Sequence, residues 1–182
     1  MHRDFVGFSP SLHYANSTTS TRTGSITASF SPSLHYANSS GRNDIRSAKV
    51  ALSGKNLAFY AQTQGRLSPA SPGDWMMLYI DAGQNPRTGW LGYDFRITSA
   101  RGVIERNVGG AYQWGSPQKI TGKRSECALE LLVPLKYLGL APGARGVDFK
   151  WADNCFDKGD WSDFTLNGDA APNDRFSYRA RW

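Results

Sequence analysis

The sequence predicts an all-β fold, a two-sheet antiparallel β-sandwich of the jelly-roll kind, and three observations lead to it. From residue 46 onward, short apolar segments recur at regular intervals, and many of them alternate apolar with polar side chains. Gly, Pro, Asn and Asp separate these segments, as in turns between strands. No stretch carries an apolar period of about 3.6 residues over a useful length. A chain of 182 residues is long enough for one such core.

Several segments are predicted as strands, and one as a single helical turn. Pro134 can open a turn and Gly139 can close it, so one turn of 3₁₀ or α-helix is expected within 134–140. The strands are predicted at 46–52, 56–63, 74–81, 92–98, 102–107, 126–133, 147–153 and 175–181. This number of short strands is typical of two packed sheets.

Alternation within three of these segments predicts which side chains face the core. Side chains two residues apart lie on the same face of a strand. The inward set is expected to be Leu57, Phe59 and Ala61, then Tyr93, Phe95 and Ile97, and finally Val147, Phe149 and Trp151. Asp94 and Arg96 are then expected to face outward.

The segment 74–81 departs from this alternation because it is apolar on both faces. One face holds Met76, Leu78 and Ile80, and the other holds Trp75, Met77 and Tyr79. Apolar patches of this size on a soluble domain are normally covered or functional. Either a loop or the N-terminal arm covers the second face, or that face is the floor of a ligand groove.

The N-terminal region contains a tandem duplication. The same ten letters, FSPSLHYANS, occur at 8–17 and again at 30–39, joined by a linker rich in Ser and Thr. The second copy runs directly into the first strand, so we expect it to be the docked one. The predicted organisation is an arm over 1–29 and a sandwich domain over 30–182. The arm is also a candidate for exchange between two copies, which would give a homodimer.

Several segments together resemble a known group of β-sandwich modules. They are LHYANSSGRND at 34–44, DWMMLYIDAGQNPRTGWLGYDF at 74–95, FKWADN at 149–154 and GDAAPNDRFSY at 168–178. The region from 30 to 182 is similar to family 9 carbohydrate-binding modules and DOMON domains. The resemblance implies an extracellular, noncatalytic module of a secreted bacterial polysaccharide-processing protein. It also implies a sugar site with two Trp rings, a Glu whose position falls on Met77 here, and an Arg matched by Arg96.

Four tryptophans and one arginine are the candidate carbohydrate-binding residues. Flat apolar rings suit the C–H faces of a pyranose, and planar polar groups suit its hydroxyls. Trp90, Trp114 and Trp161 lie in turn or strand-end contexts, where a ring stays exposed unless it packs or binds something. The full predicted site is Trp75, Trp90, Arg96, Trp114 and Trp161.

An aspartate-rich segment is the candidate metal site. Calcium takes six to eight oxygen ligands in loops of this kind, and structural calcium is also implied by the resemblance. The carboxylates proposed to hold it are Asp153, Asp157, Asp160 and Asp163. The loop that begins at Asp81 and includes Asn85 is a weaker candidate. The alternative for both loops is that these side chains form turns by hydrogen bonding to their own backbone.

Charge and residue content argue against several other functions. The net charge of +6 comes from scattered Arg and Lys with no basic run, so nucleic-acid binding is not expected. No apolar stretch is long enough for a membrane helix, and no signal peptide is evident, so a secreted parent would have lost its signal.

An enzyme is not expected either. The three histidines of the chain all lie near the N-terminus, and no pair of carboxylates stands out for glycoside hydrolysis. Cys127 and Cys155 either form one bridge or remain two thiols. The alternative function is a structural or assembly module whose apolar outer face packs on a partner or on a swapped arm.

Overall fold

The computed structural model describes residues 42–71, 74–140, 143–154, 159–160, 163–166, 169–172 and 176–182. Both copies of the duplicated segment and the arm over 1–29 lie outside the described residues, so the predicted docking of the second copy stays a prediction. Cys155 also lies outside them, and Cys127 is a free thiol. Among the described residues, no helix has the length and apolar character needed to cross a membrane.

The fold is a sandwich of two antiparallel sheets, which confirms the predicted class. The small sheet has the order β1-β2-β8-β7, and its strands are β1 Ile45–Ser53, β2 Asn56–Thr63, β7 Thr121–Arg124 and β8 Ala128–Pro134. The large sheet has the order β10-β9-β3-β4-β5-β6, with β11 also paired to β9. Its strands are β3 Met77–Asp81, β4 Phe95–Thr98, β5 Val103–Asn107, β6 Trp114–Lys119, β9 Gly146–Asp153, β10 Asp169–Ala171 and β11 Tyr178–Arg181.

Short helical pieces connect some of these strands. A 3₁₀ turn at Ser99–Arg101 joins β4 to β5, and a second at Leu135–Leu138 follows β8 and ends at Gly139. The second turn confirms the helical turn predicted within 134–140. A four-residue α-helix, α1, spans Asp163–Leu166.

The main core lies between the two sheets, and most of the predicted inward residues are in it. Leu57, Phe59 and Ala61 of β2 are buried there, as are Val147, Phe149 and Trp151 of β9. The Phe59 ring meets the Phe149 ring edge to face at 5.5 Å, so a strand of one sheet packs directly on a strand of the other. Such aromatic pairs add to the free energy gained from apolar burial.

Two of the predicted orientations are wrong. Trp75 was expected on the outer face beside Met77, but it is buried in the core between the sheets. Met76 has a positive φ of 46°, so the alternation is broken there and β3 begins only at Met77. Tyr93 was expected to face inward but packs on the outer side, because residues 90–93 form a turn before β4 begins.

Three strands were not predicted. β6 and β7 are at the sheet margins and are largely exposed, so their sequences carry no apolar alternation. β10 is only three residues long and fully buried. Short or polar strands give no periodic signal, and their pairing is decided by the neighbouring strand.

Replacing Phe59 with Ala tests the contact between the sheets. Removing this fully buried ring should lower the free energy of unfolding by about 3–5 kcal/mol, because it removes apolar burial and leaves a cavity. Val108→Ala is the control, since Val108 is 53% exposed and its truncation should change stability by less than about 0.5 kcal/mol. Urea titrations measure both. Equal effects of the two substitutions would contradict the proposed packing.

Candidate functional site

The outer face of the large sheet carries a second, smaller core made mostly of aromatic side chains. Its buried members are Met77, Tyr79, Trp90, Tyr93, Ala152, Phe164 and Ala170, with Tyr112 and Trp114 packed at its margin. The apolar outer face of β3 is therefore covered by the chain's own loops and by α1. These loops and α1 therefore account for the apolar side chains of β3 that suggested a partner or a swapped arm on that face.

The connection between β3 and β4 places two of these rings. Asn85 organises its start, since its Oδ1 accepts from the Arg87 amide and its carbonyl accepts from the Thr88 amide and hydroxyl. Trp90 and Tyr93 then exchange two backbone hydrogen bonds around a two-residue turn. Leu91 and Gly92 in that turn both have positive φ, the geometry of a tight hairpin turn.

Tyr79 is the centre of the outer cluster. The ring centroids of Trp90, Tyr93 and Phe164 lie 5.5, 5.4 and 5.4 Å from its own. These separations and tilted geometries are those that aromatic pairs favour. The Tyr79 hydroxyl lies 3.1 Å from the Tyr112 hydroxyl, so its polar end is also satisfied.

Arg96 extends from β4 along the margin of this cluster. Its guanidinium lies 5.4 Å from the Tyr112 ring and 5.2 Å from the Trp114 ring. Its Nε donates to Glu105 Oε2 at 2.9 Å, and the two side chains are only 17% and 8% exposed. The charge of Arg96 is thus compensated by a neighbouring carboxylate on β5 and shielded by two rings.

The predicted sugar-binding residues are only partly brought together. Trp90, Trp114 and Arg96 lie in one cluster, but Trp75 is on the opposite side of the sheet, where its Nε1 donates to Ser68. Trp75 is 2% exposed and Trp90 is 6% exposed, so neither presents an open ring face, whereas Trp114 is half-buried. Trp161 lies outside the described residues. The role of these residues in binding stays a prediction.

Asp153, one of the predicted calcium ligands, is already engaged by the chain. It is fully buried, accepts from the Met76 amide at 2.9 Å and forms an ion pair with Arg42 Nε at 3.1 Å. Burial raises its pKa, and the hydrogen bonds and the charge of Arg42 partly offset that rise.

Of the other predicted calcium ligands, the structure describes Asp160 and Asp163. The Asp163 amide donates to the Asp160 carbonyl, and Asp157 lies outside the described residues. Within the described ranges, no group of three or more His, Cys, Asp or Glu side chains could hold a metal ion. The calcium site stays a prediction. At the second loop, Asp81 Oδ1 accepts from the Asn85 amide, which is the turn-forming alternative.

A separate cleft of about 760 Å³ opens where the β3–β4 loop, strands β4–β6 and the second 3₁₀ turn meet. Its wall is formed by Ala82, Gly83, Asn85, Thr88, Asp94, Phe95, Ile104, Glu105, Arg106, Ser116, Gln118, Lys136, Tyr137, Leu138, Gly139 and Leu140. Phe95, Ile104 and Leu138 belong to the main core, so the apolar part of the wall is continuous with the sandwich interior. The other residues give the cleft a mixed polar and aromatic lining.

The acidic groups around the cleft are held by bonds within the chain. Asp94 Oδ2 accepts from the amides of Ala82 and Gly83 at 3.1 and 3.3 Å. Glu105 pairs with Arg96. Beside the cleft, burial raises the pKa of Asp81 to about 6, and the nearby charges of Asp94 and Asp148 contribute.

The basic groups of the cleft contact rings instead of carboxylates. The Arg106 guanidinium lies 6.0 Å from the Phe95 ring, and Lys136 Nζ lies 5.3 Å from the Tyr137 ring. Arg106, Lys136 and Tyr137 were not among the residues predicted from the sequence. Alternation in β5 places Arg106 on the same face as Ile104, which packs in the core. A charged residue at such a position was the signal in the sequence that could have identified Arg106.

Comparison with protein-family models, with curated proteins and with solved structures gave no match for this chain. The resemblance to family 9 carbohydrate-binding modules and DOMON domains therefore stays a prediction. The fold and the cleft define a β-sandwich domain with an open, mixed polar and aromatic cleft.

A pair of glycine substitutions tests how the β3–β4 turn holds Trp90. Gly89 and Gly54 have similar positive φ values of 63° and 58°, so alanine strains the backbone by about 1–2 kcal/mol at either position. A Cβ at Gly89 would lie 2.0 Å from the Tyr93 carbonyl oxygen, whereas a Cβ at Gly54 would meet nothing within 4 Å. Gly89→Ala should therefore cost about 2 kcal/mol more than Gly54→Ala.

The same pair should differ in its spectra. Gly89→Ala should change the near-ultraviolet circular dichroism of the aromatic cluster, and Gly54→Ala should leave it unaltered. Indistinguishable spectra and stabilities for the two variants would show that this turn does not position the ring of Trp90.

The pH dependence of stability tests the burial of Asp169. This carboxylate accepts from the Ile45 amide at 2.6 Å, and burial raises its pKa from 3.8 to about 7, with a contribution from the charge of Asp44. Because the folded state holds this proton more tightly than the unfolded state, its contribution to stability is full below pH 3.8. That contribution is lost as the pH rises toward about 7.

Asp169→Asn keeps an acceptor for the Ile45 amide but does not titrate, so the fall in unfolding free energy between pH 4 and 7 should become smaller. Glu126→Gln is the control, since the side chain of Glu126 forms an exposed ion pair with Arg66. Denaturant titrations at several pH values measure the slopes. An unchanged slope in Asp169→Asn would contradict the raised pKa.

Proposed function

We propose that this domain is a noncatalytic, extracellular carbohydrate-binding module of a secreted polysaccharide-processing protein, and that the cleft is its sugar site. The observation that carries the proposal is the cleft of about 760 Å³, open to solvent at a sandwich margin. Ligand sites in proteins are concave and combine apolar surface with a few well-placed polar groups. This cleft has both.

The side chains of the cleft suit the chemistry of a saccharide. Asn85, Gln118 and Arg106 offer planar amide and guanidinium groups, which hydrogen-bond hydroxyls in defined directions. Tyr137 is half-buried beside them and supplies an aromatic ring for the C–H face of a sugar. In this proposal the ring contact shifts from the covered rings of Trp75 and Trp90 to Tyr137.

The state of the acidic groups supports binding without catalysis. Glycoside hydrolysis uses one carboxyl group to protonate the leaving oxygen and a second to activate water or attack the sugar. The carboxylates of the cleft residues are engaged otherwise, Asp94 by two backbone amides and Glu105 by Arg96. Neither is placed as an unengaged acid or base.

Two tyrosine substitutions test the location of the site. Tyr137→Ala should weaken glycan binding about tenfold or more, because it removes the ring that contacts the sugar. Tyr60→Ala is the matched control. It also removes a half-buried tyrosine with a lysine over its ring, at 5.4 Å from Lys49, but it lies on β2 of the small sheet. Affinity electrophoresis through gels containing glucan, xylan, galactan or polygalacturonate measures retardation.

Tyr137→Phe keeps the ring and should retain most of the binding. Equal weakening by the Tyr137 and Tyr60 substitutions would place the site elsewhere. If the unaltered protein were not retarded by any of these polysaccharides, the proposed function itself would be wrong.

A further inference from the structure

The cleft contains two basic side chains, one from a strand of the large sheet and one from the turn that follows a strand of the small sheet. Arg106 lies on β5 of the large sheet, and Lys136 lies in the 3₁₀ turn that follows β8 of the small sheet. Both are exposed, and both line the cleft. They are the cationic residues of its lining.

Neither of these cations has a carboxylate partner among the described residues. Arg106 contacts the ring of Phe95, and Lys136 contacts the ring of Tyr137. Other arginines behave differently, since Arg96 and Arg179 are each paired with a carboxylate at 2.8–2.9 Å. Each charged group therefore lies near a ring, and no carboxylate of the described residues takes up the N–H donors of Arg106 and Lys136.

The acidic side chains of the lining offset only part of these two charges. Asp94 is satisfied by the amides of Ala82 and Gly83, and Glu105 is compensated by Arg96. With Arg96 and Glu105 counted as a neutral pair, the two positive charges of Arg106 and Lys136 face the one negative charge of Asp94, so the balance of charge in the cleft is positive. Walls of lower dielectric strengthen the attraction between such charges and a bound anion.

We infer that the cleft prefers acidic saccharides, specifically glycans that contain uronic acids. This inference rests on the proposed function and adds the chemical class of the ligand. The planar guanidinium of Arg106 matches a carboxylate in a two-bond geometry, and Lys136 adds a second positive charge on the other wall. The uncharged parts of the lining then contact the hydroxyls and the ring of the same sugar unit.

A pair of ligands isolates the charge. Polygalacturonate and its fully methyl-esterified form share one backbone, but only the first carries carboxylates. The unaltered protein should bind polygalacturonate at least about tenfold more tightly than the ester, measured by isothermal titration calorimetry. This preference should shrink as sodium chloride rises from about 50 to 300 mM.

A pair of double variants isolates the site. Arg106→Gln with Lys136→Gln should abolish the preference for polygalacturonate over its ester. Arg46→Gln with Lys123→Gln is the control, because it removes the same net charge from exposed residues of the small sheet that do not line the cleft. This control should leave the preference within about twofold of the unaltered protein.

The outcomes separate this inference from the proposed function. Equal binding of polygalacturonate and its ester would overturn the uronate preference while leaving carbohydrate binding in place. Equal loss of the preference in both double variants, or equally tight binding of dextran sulfate, would reduce the effect to general charge attraction and overturn the inference. Absence of binding to every polysaccharide would overturn both.

Discussion

The structure depends on the burial of β3 on both of its faces. All five residues of Met77–Asp81 are buried, which requires an apolar layer on each side of the large sheet. The small sheet supplies one layer, and the loops of the large sheet with α1 supply the other. A ring such as Tyr79 buries about 150–250 Å², so covering this face removes a large apolar area from water.

The need to cover the outer face explains the position of the charged groups. The turn that carries Trp90 and Tyr93 ends where β4 begins, and Arg96 follows at the edge of the aromatic layer. A guanidinium that is 17% exposed needs compensation, and Glu105 on the next strand provides it. Glu105 and Arg106 are neighbours on β5 and point to opposite faces of the sheet, so Glu105 pairs with Arg96 and Arg106 lies over Phe95.

The sequence predicted the parts of the fold in which apolar alternation is regular. In β2 and β9, every second side chain is apolar, and all six predicted inward residues lie in the main core. Prediction failed where the backbone departs from a regular strand, at Met76 with its positive φ and in the turn before β4 that turns Tyr93 outward. It failed again for β6 and β7, whose exposed polar residues are indistinguishable from loops until a neighbouring strand pairs with them.

The candidate site was harder to predict than the fold because a tryptophan in the sequence can serve either of two purposes. A ring can be kept for a ligand, or it can fill the second apolar layer of a sheet that is buried on both faces. Trp75 and Trp90 serve packing, and their burial removes them from contact with a saccharide in this conformation. Candidate ligand-binding residues are therefore better identified from side chains whose hydrogen-bonding groups or charges are not used within the fold. Arg106 and Lys136 belong to that group, and only the meeting of β5 with the turn after β8 brings them into one cleft.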